Sequence, residues 1–105
     1  MTPYKIYRLE DAPKVPFNMN GKILFSSEKM ELIHLTLKPG EEMEKHSQPF
    51  DVLFFILEGK GTLEIGNKQV LVNSNTCINL GKRILRKWSN TGLSDLKILV
   101  IKNLS

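Results

Sequence analysis

The chain has 105 residues, a formal net charge of +4 and one cysteine. A chain of this length buries enough surface to fold as one domain without disulfides or a structural metal. Its basic residues are spread along the whole sequence, and no nucleic-acid-binding motif accompanies the local cluster at Lys82–Lys87, so we expect no nucleic-acid partner.

The cellular location is predicted from the single cysteine and from the lack of long apolar segments. Cys77 cannot form an internal bridge, and its position in the run Thr76–Ile78 predicts a buried free thiol, as in proteins of a reducing compartment. No segment approaches the roughly 20 apolar residues of a membrane span, and Met1–Glu10 lacks the apolar core of a signal peptide. The sequence therefore predicts a cytoplasmic protein with no membrane partner.

Short alternating or apolar runs separated by turn residues dominate the chain. They predict nine strands and no helix: Tyr4–Leu9, Lys22–Phe25, Met30–Lys38, Val52–Leu57, Thr62–Ile65, Lys68–Val72, Thr76–Leu80, Ile84–Ser89 and Leu96–Lys102. The first has a mostly alternating pattern that is typical of a half-exposed edge strand. Gly66-Asn67 joins two alternating runs and predicts a hairpin, because glycine readily adopts the positive φ of such turns. The set indicates an all-β sandwich or barrel.

Two of these predicted strands determine where polar side chains can point. Along Met30–Lys38, His34 and Thr36 alternate with Ile33, Leu35 and Leu37, so the two groups should lie on opposite faces. Val52–Leu57 consists of six apolar residues, which predicts a strand buried on both faces.

The spacing of the turn glycines around this apolar run resembles the first motif of the cupins, which are small double-stranded β-helix or jelly-roll barrels. That motif is a glycine, five residues, His-x-His, three or four residues, a glutamate, six residues and a glycine. Gly40, His46 and Gly59 keep its spacing. The second motif is a glycine, five residues, Pro-x-Gly, two residues, a histidine, three residues and an asparagine. Asn73, Asn79 and Gly81 stand at the places of its Gly, Pro and Gly with the right spacing, and Asn90-Thr91-Gly92 looks like its usual Asn-Thr-Gly end.

The resemblance extends from about Met30 to Asn103. It implies an all-β jelly-roll cupin barrel of one domain over residues 1–105, with an N-terminal arm at about 1–29 and a barrel core at about 30–103. We also expect a homodimer, because small open barrels have exposed edges that pairing can cover.

The resemblance also bears on metal binding, since the family's metal is held by the two histidines and the glutamate of the first motif and the histidine of the second. His46 keeps the first position, and Gln48 stands at the second. Val52 occupies the glutamate position, with Asp51 one step away and therefore on the opposite face unless a bulge redirects it.

The last ligand of the family is the histidine of the second motif. Counting forward from Gly81 places Ile84 at that position, and counting back from Asn90 places Arg86 there. A tight zinc, manganese, iron or nickel site needs three or four imidazole or carboxylate ligands. We therefore expect no tightly bound metal. A weak site would use His46, Gln48 and Asp51, with His34 added if it faces the lumen.

The same positions offer groups for an organic ligand. The Arg86 guanidinium is a planar fork that suits a carboxylate or phosphate, and Trp88 would share its face. Gln48 can both donate and accept hydrogen bonds. With His46 and Phe54, these side chains predict a lumen that binds a small organic ligand, with an anion favoured by Arg86.

Other roles remain open at this stage. Trp88 and Phe54 also suit the core, and Arg86 also suits a solvated strand face. The alternative function is that of a metal-dependent cupin enzyme, a dioxygenase or isomerase, with a reduced ligand set centred on His46. Whether the chain catalyses a reaction is left undecided by the sequence.

Overall fold

The computed structural model describes residues 3–17 and 19–105 of the chain. Met1, Thr2 and Asn18, which belong to the predicted N-terminal arm, lie outside the described residues. Eight strands and one short 3-10 helix, Leu9–Asp11, occur in the described part. The strands are β1 (Asn20–Ser26), β2 (Met30–Leu37), β3 (Asp51–Glu58), β4 (Lys60–Ile65), β5 (Lys68–Asn73), β6 (Cys77–Leu80), β7 (Arg86–Ser89) and β8 (Leu96–Asn103).

The strands form two antiparallel sheets with strand orders β1-β2-β8-β3-β6 and β5-β4-β7. The segment before β3 extends the smaller sheet, because Glu42 and His46 form single bridges to Ser89 and Arg86 of β7. In this structure, the sheets are not closed into a barrel by a continuous hydrogen-bonded ladder. The all-β prediction is confirmed. The closed barrel that was also predicted is not observed, because the strands form two facing sheets.

The core lies between the sheets because side chains alternate along each strand. Ile33, Leu35 and Leu37 of β2 are buried, whereas His34 and Thr36 are only partly covered, as predicted. Buried residues from both sheets join in one cluster, to which the smaller sheet contributes Leu63, Val72 and Trp88. The space between the sheets is therefore where a site can form.

The predicted hairpin is confirmed and the turn glycines have a clear role. Gly66 joins β4 and β5 with a φ of 58°, as a two-residue hairpin turn requires. Gly59, the closing glycine of the first motif, has a φ of 83°, and a Cβ atom there would collide with the carbonyl oxygen of Asp95. Both positive φ and close backbone contact thus favour glycine at position 59.

The predicted edge strand Tyr4–Leu9 is wrong. Residues 4–8 are irregular, and Tyr4 and Ile6 are exposed. A strand needs a neighbouring backbone with free hydrogen-bonding groups. The outer edge of β1 is already used by residues 13–15, since Val15 N donates to Gly21 O at 2.9 Å and Ile23 N donates to Pro13 O at 2.8 Å.

Two predictions of burial are also wrong, both on the outer face of the five-stranded sheet. Val52, Phe54 and Ile56 are buried, but Leu53 and Phe55 are only partly covered and Leu57 is exposed. Cys77 is exposed as well, because it lies on edge strand β6 with its side chain pointing away from the core. A helix or a further layer would be required to bury this part of the face, and the described chain has neither there.

The short 3-10 helix is far from membrane-spanning length. Within residues 3–17 and 19–105, no helix is both long and apolar enough to span a bilayer.

Candidate ligand-binding site

A cavity of about 900 Å³ opens between the two sheets. Its walls come from the inner faces of β2, β3, β7 and β8, from the segment around residues 41–48, and from Val15, Phe17 and Met19 of the N-terminal arm. All five side chains that the sequence singled out as ligand-binding line this one cavity. They are His46, Gln48, Phe54, Arg86 and Trp88.

Arg86 is placed inside by the alternation of β7, whose burial pattern directs Arg86 and Trp88 inward and Lys87 and Ser89 outward. Arg86 is only 3% exposed. Its Nη1 makes one long hydrogen bond, at 3.5 Å, to the carbonyl oxygen of Ile84. Over the described ranges, no carboxylate forms a salt bridge with Arg86, and burial lowers the pKa of its guanidinium. A buried cation of this kind calls for an anionic partner.

Two buried hydrogen-bond donors in the cavity have no acceptor. Among the residues that the structure describes, Arg86 Nε and Trp88 Nε1 are the buried side-chain polar atoms without a partner. A buried donor left without an acceptor costs about 1–3 kcal/mol, so such atoms are uncommon in folded proteins. Both belong to side chains two residues apart on β7 and facing the same cavity. Two donors without acceptors therefore lie within the wall of this cavity, on one inward-facing stretch of β7.

Phe54 holds these two side chains from the opposite sheet. Its ring lies 5.4 Å from the Trp88 ring, centroid to centroid, in an edge-to-face arrangement. The Arg86 Cζ atom lies 5.9 Å from the Phe54 centroid. These contacts restrict both rings and place the guanidinium against an aromatic face, where a cation is attracted by the ring quadrupole.

His46 and Arg86 are directly opposite each other. Arg86 N donates to His46 O at 2.9 Å, and His46 N donates to Arg86 O at 3.0 Å. Residues opposite each other in an antiparallel pair point to the same face, so both side chains enter the cavity. His46 Nδ1 lies 3.0 Å from the carbonyl oxygen of Glu44. A carbonyl can only accept, so Nδ1 carries the proton and Nε2 of the neutral ring is left as an acceptor.

The sequence predictions did not include an inward-facing ion pair. Lys102 Nζ lies 3.4 Å from Glu31 Oε1, and both residues line the cavity. The sequence did contain a signal for this pair, because residues two apart on a strand point to the same face. Glu31 is two residues from the inward-facing Ile33 on β2, and Lys102 is two residues from the inward-facing Val100 on β8. The missed arm residues Val15, Phe17 and Met19 also recur at every second position, but Pro13 and Pro16 beside them argued against a strand.

The residues predicted for a weak metal site are not brought together. His34 lies on the other face of the five-stranded sheet, opposite Lys22 on β1 and Leu99 on β8. Burial, reinforced by Lys97, lowers the pKa of its imidazole. Asp51 is exposed, and its Oδ1 accepts a hydrogen bond from Lys82 N at 3.0 Å. Of the four candidates, His46 and Gln48 alone line the cavity.

The comparison with protein families gives the family of the chain. A model of the cupin domain matches residues 33–102, well over half of the sequence. The chain belongs to the cupin family. The match begins after β1, although β1 pairs with β2 and is part of the larger sheet of this cupin.

Solved structures show the same fold. A predicted oxalate decarboxylase from Thermotoga maritima is 21% identical, with a TM-score of 0.85, over 96% of this chain and 100% of that chain. An RmlC-like cupin with a double-stranded β-helix fold from Methanocaldococcus jannaschii is 20% identical, with a TM-score of 0.84, over 98% and 93%. The polyketide cyclase RemF from Streptomyces resistomycificus is 12% identical, with a TM-score of 0.84, over 97% and 80%. No curated protein matches the sequence.

The residues of this cupin do not fit the metal that the family motif implies. In the described parts of the chain, no group of three His, Cys, Asp or Glu side chains is close enough to share an ion. At one of the two positions that the spacing allows for the motif's last histidine, Arg86 brings a positive charge beside His46. A guanidinium repels a cation and has no lone pair to donate to it, so this donor set suits an anion instead.

Proposed function

We propose that this cupin binds a small organic anion in the cavity between its sheets, with Arg86 as the charged anchor. The observation that carries the proposal is the buried Arg86 guanidinium on the cavity wall, which has no salt-bridge partner among the described residues and has an Nε without an acceptor. A ligand carboxylate would neutralise this charge and supply acceptor oxygens to the guanidinium.

The neighbouring side chains support the same role. His46 Nε2 and the Gln48 amide can hydrogen-bond polar groups next to the anion, since both side chains line the cavity. Phe54 supplies an apolar contact beside the guanidinium. A cavity of about 900 Å³ lies within the usual range for small-molecule sites, which is about 300–1,000 Å³.

Calorimetric titration with benzoate, hexanoate and succinate tests the proposal. We expect at least one of these acids to bind the wild-type protein, and Arg86→Ala to weaken that binding by roughly 10- to 100-fold, the loss of a charge-assisted hydrogen bond. Arg86→Lys should weaken it less, because it keeps the charge but not the planar fork.

The control is Lys68→Ala. Lys68 is an exposed cation on β5 that does not line the cavity. Its removal should leave the affinity unchanged. Equal affinities of the wild-type protein and Arg86→Ala, or no binding of any acid by the wild-type protein, would contradict the proposal.

The homodimer and the cytoplasmic location stay predictions. The outer face of the five-stranded sheet carries partly covered apolar side chains, including Leu53, Phe55, Leu99 and Ile101, which a second copy would bury. Light scattering coupled to gel filtration should give twice the mass of one chain, and the mass of a single chain would refute the dimer.

A further inference from the structure

We infer that the ligand of this cavity is a monocarboxylic acid with a large apolar body. The inference rests on the proposed function, because the carboxylate is the group that Arg86 would hold. It adds the chemistry of the remainder of the ligand, which follows from the size of the cavity, its walls and its acidic rim.

The size of the cavity exceeds what a small acid can fill. Its volume of about 900 Å³ is near the upper end of the range for small-molecule sites. Water occupies about 30 Å³ per molecule in the liquid, so an acid of a few heavy atoms would leave most of the space to solvent. A ligand that excludes this water must have a body several times larger than its carboxylate.

The walls beyond Arg86 are apolar. Ile33 and Leu35 of β2 and Val100 of β8 face the cavity from the larger sheet. Ile23 and Met19 line it on the side of β1 and the arm. Apolar ligand surface is favoured there because its burial removes both surfaces from water, whereas a hydroxylated body would lose hydrogen bonds to water without replacement.

The rim of the cavity is acidic. Glu41, Glu42 and Glu44 are exposed and line it on the segment that runs beside β7. Lys87 pairs with Glu42, whereas Glu41 and Glu44 form no salt bridge among the described residues, so a second carboxylate on the ligand would be repelled chiefly by these two. Lys102, the other inward-facing cation, is already paired with Glu31 and offers little to a second anion. The charges therefore favour a ligand with a single negative group.

Octanoate and octanedioate test the requirement for a single negative charge, since they have the same length and differ by one carboxylate. Acetate and oxalate serve as their short counterparts. Trp88 is the single tryptophan of the chain and lines the cavity, so its fluorescence can report binding of each acid. We expect octanoate to bind at least tenfold more tightly than the other three. From acetate to octanoate, each added methylene should raise the affinity about two- to fourfold.

Variants of the rim test the role of its charges. In the double variant Glu42→Gln/Glu44→Gln, the affinity for octanedioate should rise severalfold while that for octanoate changes little. Glu58→Gln is the control, because Glu58 is an exposed carboxylate at the end of β3 that does not line the cavity. It should leave both affinities unchanged.

The outcomes distinguish this inference from the proposed function. Octanedioate or oxalate binding as tightly as octanoate, with a loss of binding in Arg86→Ala, would overturn the apolar monoacid and leave the anion site in place. Octanoate binding equally well to the wild-type protein and to Arg86→Ala would overturn both. An absence of binding by all four acids would also overturn both.

Discussion

Asn90 and Arg86 are the two polar side chains buried in the described chain, and they differ in how their hydrogen-bonding groups are used. Asn90 Nδ2 donates to Leu37 O at 2.8 Å and to Ser94 O at 2.9 Å, and its Oδ1 accepts from Gly92 N at 2.9 Å. Arg86, four residues earlier, is only 3% exposed and has an Nε without a partner. Burial alone therefore does not separate a structural group from a binding group, whereas hydrogen-bond satisfaction does.

The difference follows the second cupin motif. Asn90 begins the Asn-Thr-Gly close, and its side chain connects β2 to the loop before β8, so it stabilises the fold at one end of the cavity. Arg86 stands at one of the two positions that the spacing allows for the family's histidine, and it contributes a cation without a salt-bridge partner among the described residues to the cavity wall. This comparison predicts that Asn90 supports folding and that Arg86 supports binding.

Asn90→Ala should have the largest effect. It removes three hydrogen bonds and leaves the Leu37 carbonyl without this partner, so we expect a loss of about 2–4 kcal/mol in the free energy of unfolding. The corresponding fall in Tm is about 10 °C or more for a domain of this size. Urea and thermal unfolding measure the effect. Asn79→Ala, an exposed asparagine on edge strand β6, is the control; equal stability of the two variants would break the comparison.

Arg86→Leu should change stability in the opposite direction. The substitution removes a buried charge that has no anionic partner in the described residues, and it keeps an apolar side chain against Phe54. Replacing buried charges by apolar groups is often neutral or stabilising, so we expect the free energy of unfolding of the free protein to stay the same or rise by about 1 kcal/mol. A loss of several kcal/mol in urea unfolding would mean that Arg86 is structural, like Asn90.

His34→Gln should produce the smallest effect, and only in acid. Burial of the ring lowers the pKa of His34 below 6.5, so the unfolded chain binds more protons than the folded chain once the pH falls below that value. Stability from neutral His34 is therefore present above pH 6.5 and is lost as the pH decreases. His34→Gln should show a shallower decline in unfolding free energy between pH 7.5 and 5.5. Identical slopes for the wild-type protein and His34→Gln would contradict a lower pKa of His34 in the folded chain than in the unfolded chain.

These experiments also separate the two faces of the larger sheet. His34 is outside the cavity and should affect stability against pH without affecting anion binding. His46 lies inside, opposite Arg86, and belongs with the binding group. The sequence left the face of His34 relative to the lumen open, and the register of β2 places it on the outer face.

Strand periodicity and turn chemistry were sufficient to predict the all-β fold, the hairpin at Gly66 and the division of the β2 side chains between two faces, because these features depend on neighbouring residues. The motif spacing left Ile84 and Arg86 open at the last ligand position, and the burial pattern of β7 is what places Arg86 and Trp88 on the inward face. Three features depend on which backbone or layer lies beside a segment: the unpaired residues 4–8, the exposed Cys77 and the open outer face of β3. Contacts between distant parts of the chain decide what lies there. The site follows the same division. The sequence indicated which side chains could bind a ligand, but their packing in the folded chain decides that two donors on β7 have no acceptor.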